Sequence, residues 1–168
     1  KNRAAFVSNL PANTPLVEIL AFCLLPNHFH LLVKQVEEKG VTNFMSKLSN
    51  SYTRYYNAHH QRIGPLFQGN FKAVLVPDDE PLLHLTKYIH LHPVIDHLVK
   101  NLRDYPYSSY LEFLNLASGF CQTRIILDYF ESLSQFEKFA LNQTGYEKSL
   151  QENSKLFIDT KKVGKVSS

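Results

Sequence analysis

Residues 24–33, LLPNHFHLLV, constrain this chain more than any other stretch, because two histidines interrupt a run that is otherwise mostly apolar. Apolar residues on both flanks predict a buried or half-buried β-strand. Strand side chains alternate between faces, so His28 and His30 project from one face and Phe29 from the other. At about 3.3 Å rise per residue their backbones lie roughly 6–7 Å apart, near enough for two imidazoles to share one cation. A second reading stays open, in which each ring bonds backbone or water within the sheet. Residues 17–25, VEILAFCLL, predict one strand and residues 29–36 its neighbour, with Pro26 and Asn27 as the turn between the two.

Beyond this hairpin, Val41, Phe44, Met45, Leu48, Tyr52 and Tyr55 recur at helical spacing. They predict a helix over 41–59, capped by Gly40 or Thr42. Gly64-Pro65 and Gly69 punctuate the next stretch, and residues 71–76 predict a third strand that Pro77 ends. Asp78 and Asp79 suit the start of a helix running through Leu82, Leu83, Leu85, Tyr88 and Ile89. Pro93 limits that helix at about His92. From Tyr105 onward, SSYLEFLNL, RIILDYF and QFEKFALN read as short helices, and the tail KKVGKVSS as polar and frayed. Tyr105-Pro106-Tyr107-Ser108-Ser109 reads as a structural turn whose serine caps the next helix. Strands first and helices afterwards predict an α+β domain.

A chain of 168 residues that is 44% hydrophobic can build one good core. No run approaches the ~18 apolar residues of a membrane helix, and no signal-peptide pattern opens the chain. Cys23 and Cys121 lie far apart and in no metal spacing, so both read as reduced, as in a cytosolic protein. A net charge of +3 and a pI near 8.8 are compatible with a nucleic-acid partner without establishing one. The chain opens at Lys1 rather than Met, so part of its N-terminal region reads as missing or cleaved.

On the second predicted helix, residues four apart share a face, which makes His84, Tyr88 and His92 one stripe. Leucine would be expected on a core-facing stripe. The plainer alternative packs Tyr88 against the sheet with its hydroxyl satisfied at the edge.

Four segments settle the choice between families. PNHFHLL, GPLFQGNFKA, KYIHLHPV and DYPYSSY resemble, in order and spacing, the REP-associated tyrosine transposases of the single-tyrosine HUH transposase family. The resemblance runs over residues 17–110. His28-Phe29-His30 matches the family's histidine–hydrophobe–histidine motif, and Tyr88 matches its nucleophile. It implies a ferredoxin-like (RRM-like) antiparallel sheet with helices on one face, followed here by a helical C-terminal extension. Residues 1–113 then form an N-terminally incomplete catalytic domain and 114–168 the extension. The family fold has a strand and a helix before Val17, and 16 residues are too few for both, so these read as truncated or missing.

The resemblance further implies a prokaryotic, cytoplasmic, nucleoid-associated enzyme that cuts single-stranded DNA beside hairpins. It would use a divalent metal and one tyrosine, leave a 5′-phosphotyrosine, and work as a monomer or a homodimer. His28 and His30 would hold the metal. His92 stands where the family usually has asparagine or glutamine reaching that metal. A third imidazole suits Mn, Co, Ni or Zn better than Mg, so of Mg and Mn the latter is favoured. His92 has two other readings, a hydrogen bond to DNA or the mark of a decayed enzyme. His84 reads as lying behind the ligands or in the core.

Asn70 stands where the family tends to have arginine, which removes a phosphate contact. Lys72, Arg54, Arg62 and Lys87 are candidate contacts to the DNA backbone, carrying weight only as a group. Tyr52, Tyr55 and Tyr56 either stack bases or pack as core and rim. Two rival functions stay in view. One is an inactive hairpin-binding descendant of such an enzyme. The other is a zinc hydrolase that dispenses with Tyr88, against which the lack of an acidic general base beside the pair speaks.

Overall fold

The computed structural model describes residues 14–142, and the expected frayed tail falls outside them, as does most of the stretch before Val17. The apolar segments form β1 (Val17–Leu24) and β2 (Phe29–Gln35), paired antiparallel with Cys23 opposite His30 and Leu24 opposite Phe29. Pro26 and Asn27 turn the chain, and the Leu25 N–H closes the loop on the His28 carbonyl at 2.8 Å. The ladder slips between Ile19 and Ala21, and this bulge buries both Leu20 and Ala21.

β1 does not end in an open edge. The Leu24 N–H donates to the Tyr107 carbonyl at 2.8 Å, the Ser109 N–H to the Phe22 carbonyl at 3.0 Å, and the Gln122 N–H to the Ile19 carbonyl at 2.8 Å. The Tyr105 hydroxyl also donates to the Leu24 carbonyl, at 2.7 Å. The segment expected to be structural is therefore the cover of a sheet edge. Of its two serines, Ser108 accepts from the N–H of Tyr110, the first residue of the next helix, at 3.3 Å, while Ser109 does something else. Ser109 precedes the short helix Tyr110–Phe113, but its hydroxyl accepts from the Phe22 N–H at 3.0 Å and meets His90 Nε2 at 2.8 Å.

Helix α1 (Gly40–His59) follows β2. Its cap residue is Lys39, in a left-handed turn with φ 59°, rather than Gly40 or Thr42. Gly40 is needed for another reason: a Cβ there would collide with the Leu16 carbonyl. The expected strand over 71–76 does not form. Residues 71–75 lie exposed and pair with neither strand of the hairpin, so the run has no buried face to hold it in a sheet. Leu75 is accordingly 84% exposed.

Helix α2 (Asp79–Ile95) begins at the aspartates as expected and continues past His92, with Pro93 inside it. Proline lacks one N–H and so removes one helical bond, which costs little in a last turn. The Asp96 N–H still reaches the His92 carbonyl at 2.9 Å. A short 3-10 turn, Leu102–Asp104, leads to α3 (Tyr110–Phe113), α4 (Arg124–Leu127) and α5 (Leu133–Leu141), where the sequence predicts short helices. Ser132 caps α5 by accepting from the Gln135 N–H.

One buried cluster joins these parts: Ala21 and Cys23 of β1, Ile89 and Leu91 of α2, Phe113 of α3, Ile126 of α4 and Phe136 of α5. The arrangement is α+β, with α2 packed on the hairpin. No described helix is long and apolar enough to cross a membrane.

Candidate metal centre and nucleophile

Strand alternation sends His28 and His30 to the same face of the hairpin, with ring centroids 5.0 Å apart. Helix α2 lies over that face and brings His92 to both, at 5.2 Å from His28 and 4.5 Å from His30. One donor atom from each of the three lies within 4.8 Å of the others. His28 Nε2 and His92 Nε2 stand 3.3 Å apart. Two ring nitrogens bound to one ion at about 2.0–2.1 Å are separated by about 3 Å, so this pair already has a ligand spacing.

Hydrogen bonding orients the first ligand. His28 Nδ1 is 2.6 Å from Asn27 Oδ1, an acceptor, so Nδ1 carries the proton and Nε2 presents its lone pair to the cluster. His30 Nε2 is buried and makes no hydrogen bond. Burial, reinforced by His92 and His28, pushes the His30 imidazole down to about 3, so it is neutral near pH 7. Burial also lowers His28, partly offset by the Asp96 carboxylate. A buried nitrogen without a partner is an anomaly in a sheet and the ordinary condition of a metal ligand. The donor set therefore fits a divalent ion.

Tyr88 sits one helical turn before His92, with its ring 4.9 Å from the His92 ring and 5.4 Å from that of His30. A phenol thus stands against two of three imidazoles that can gather a cation. The family model described as transposase, IS200 like, matches residues 9–92, half of the chain. The chain belongs to that family. It is also 31% identical over 103 residues to the Haemophilus influenzae protein described as "Putative REP-associated tyrosine transposase", covering 55% of this chain and 58% of that protein. The chain thus spans somewhat more than half the length of the curated relative it matches. No solved structure matches it.

IS200-like transposases are metal-dependent in general, which agrees with the three-histidine cluster. The expected DNA-contacting residues scatter more widely. Arg54 and Lys72 are exposed. Arg62 is exposed too, with its guanidinium 5.7 Å from the Tyr56 ring centroid and Nη2 3.4 Å from the Pro65 carbonyl. Lys87 departs from expectation: it is 7% exposed, its ammonium 5.3 Å from the Phe139 ring centroid, and burial lowers its pKa. It braces α2 against α5 instead of facing solvent. His84 is partly exposed, 4.0 Å from Glu80 and with its ring centroid 6.2 Å from that of Phe139. Tyr52 and Tyr55 are 47% and 53% exposed, and Tyr52 continues through Phe67 to Phe29, at 6.1 and 6.0 Å.

Sequence reasoning missed Asn27, which fixes the His28 tautomer, and Asp96, whose Oδ2 lies 3.7 Å from His92 Nε2. The four-residue step from His92 to Asp96 was the available signal. It was hidden by the expectation that Pro93 ends the helix.

Proposed function

We propose that this chain is a metal-dependent single-stranded DNA endonuclease and strand transferase acting on DNA hairpins, in the cytoplasm of a prokaryote. The observation that carries the reading is Tyr88 packed against His30 and His92 of a three-imidazole cluster, in an IS200-like transposase. His28, His30 and His92 hold the ion. When bound, a divalent ion supplies Lewis-acid polarisation of the scissile phosphate and offsets charge on its oxygens. The third imidazole favours Mn over Mg, since a first-row transition ion takes nitrogen donors more readily than Mg does.

Tyr88 Oη attacks the scissile phosphorus. The new P–O bond forms as the bond to the 3′-oxygen breaks, the phenolic proton is lost, and the leaving oxygen takes one up. The products are a 5′-phosphotyrosine on the chain and a free 3′-hydroxyl on the DNA. The phosphodiester energy is kept in the covalent link, so a second 3′-hydroxyl reverses the step and joins strands without ATP.

The test uses end-labelled single-stranded hairpin DNA with Mn or Mg and a denaturing gel. A covalent protein–DNA band present in the wild type and absent in Tyr88→Phe supports the reading. Cleavage with Mg and none with Mn would sink the metal preference. Hairpin binding without a band under any metal would identify a descendant that binds and no longer cuts.

A further inference from the structure

We propose that Asp96 supplies a fourth, oxygen ligand to the metal centre; the proposal rests on the reading of His28, His30 and His92 as metal ligands. Helix α2 carries Tyr88, His92 and Asp96 at successive four-residue steps, so one face presents all three. Asp96 Oδ2 is 3.7 Å from His92 Nε2, the same nitrogen that lies 3.3 Å from His28 Nε2. The end of α2 and the start of β2 thus each bring a donor atom close to one nitrogen, His92 Nε2. Two donors on a shared ion stand about 3 Å apart, and the Asp96 separation of 3.7 Å closes to that by a side-chain rotation.

The position of the carboxylate is itself a signal. Asp96 is the C-cap of α2, where the unpaired carbonyls make the helix end partly negative and favour a cation. An acid at that end is unfavourable unless positive charge sits beside it. An imidazole that binds a metal ion is a neutral donor, so three of them leave a dication's charge uncompensated. Asp96 brings the centre to a net charge of one.

A three-histidine, one-aspartate set also bears on metal choice. It fills the tetrahedron that Zn prefers and leaves the phosphate no place on that ion. An ion that accepts six ligands keeps two positions open with the same four residues, which fits Mn.

The experiment uses the full chain without DNA. Co(II) is titrated while the visible absorption is followed, and Mn affinity is measured by electron paramagnetic resonance. Asp96→Asn is expected to weaken Mn binding 10- to 100-fold and to move the Co(II) bands. The half-exposed position of Asp96 keeps the fold safe, which matching thermal melts of the metal-free proteins check. Asp128→Asn is the control: its neighbour Tyr129 bonds Asp79 at the opposite end of α2, and it should change neither readout. Equal Mn affinity in wild type and Asp96→Asn overturns the proposal. Weaker binding with unmoved Co(II) bands also overturns it, since the carboxylate would then act through space. A wild type that binds metal through Asp96 yet forms no DNA adduct would leave this ligand set standing while the DNA reading fails.

Discussion

The placement of His28 and His30 was readable from a local rule, whereas Tyr88 stood out only through the family resemblance. Alternation in a strand sets two histidines on one face, and their rings do stand 5.0 Å apart. The approach of Asp96 to His92 was not readable, because it depends on a helix outlasting Pro93. His90 belongs to the same class. It is fully buried, its Nε2 lies 2.8 Å from the Ser109 hydroxyl, and burial pushes its pKa down to about 3. The unfolded chain takes up that proton near pH 6.5 and the folded chain does not. Folding stability from this group is therefore complete above pH 6.5 and declines as pH falls from there toward 3, by up to about 1.4 kcal/mol per pH unit. Chemical denaturation at pH 7 and at pH 5.5 checks this. His90→Gln should show a flatter fall over that interval than the wild type.

At the scale of elements, the hairpin followed from its apolar runs and the Pro26-Asn27 turn, and α1 from helical spacing. Residues 71–76 carried as good a strand pattern and formed none. A periodic pattern states that a segment can enter a sheet, not that the fold brings it to one. The edge of β1 went to Tyr107 and Ser109, whose N–H and carbonyl groups gave no advance notice. The entry to α1 offers a direct test of how tightly these elements meet. Gly40→Ala drives a methyl into the Leu16 carbonyl at the mouth of the hairpin. It should lower unfolding stability by about 1–3 kcal/mol, as other overpacked substitutions do. A denaturant midpoint equal to that of the wild type would show that residue 16 yields without cost.

At the scale of the molecule, composition said least, since a net charge of +3 does not say where charge collects. Lys87 left the surface for the Phe139 ring, while Arg54 and Arg62 stayed outside, Arg62 beside the Tyr56 ring. If those two arginines hold phosphates, Arg54→Ala with Arg62→Ala weakens hairpin binding and reduces the slope of log affinity against log salt by about 1.4. Fluorescence anisotropy at several salt concentrations measures it, and an unchanged slope removes both from the DNA path. The central claim is narrower: Tyr88 becomes covalently joined to DNA beside an ion held by His28, His30 and His92. Digesting the protein after incubation with hairpin DNA and Mn, then sequencing the nucleotide-bearing peptide by mass spectrometry, tests it most directly. The account predicts a 5′-phosphate ester on the Tyr88 hydroxyl, lost when His30 is replaced by alanine. DNA attached at another residue, or at Tyr88 in undiminished amount without His30, would contradict it.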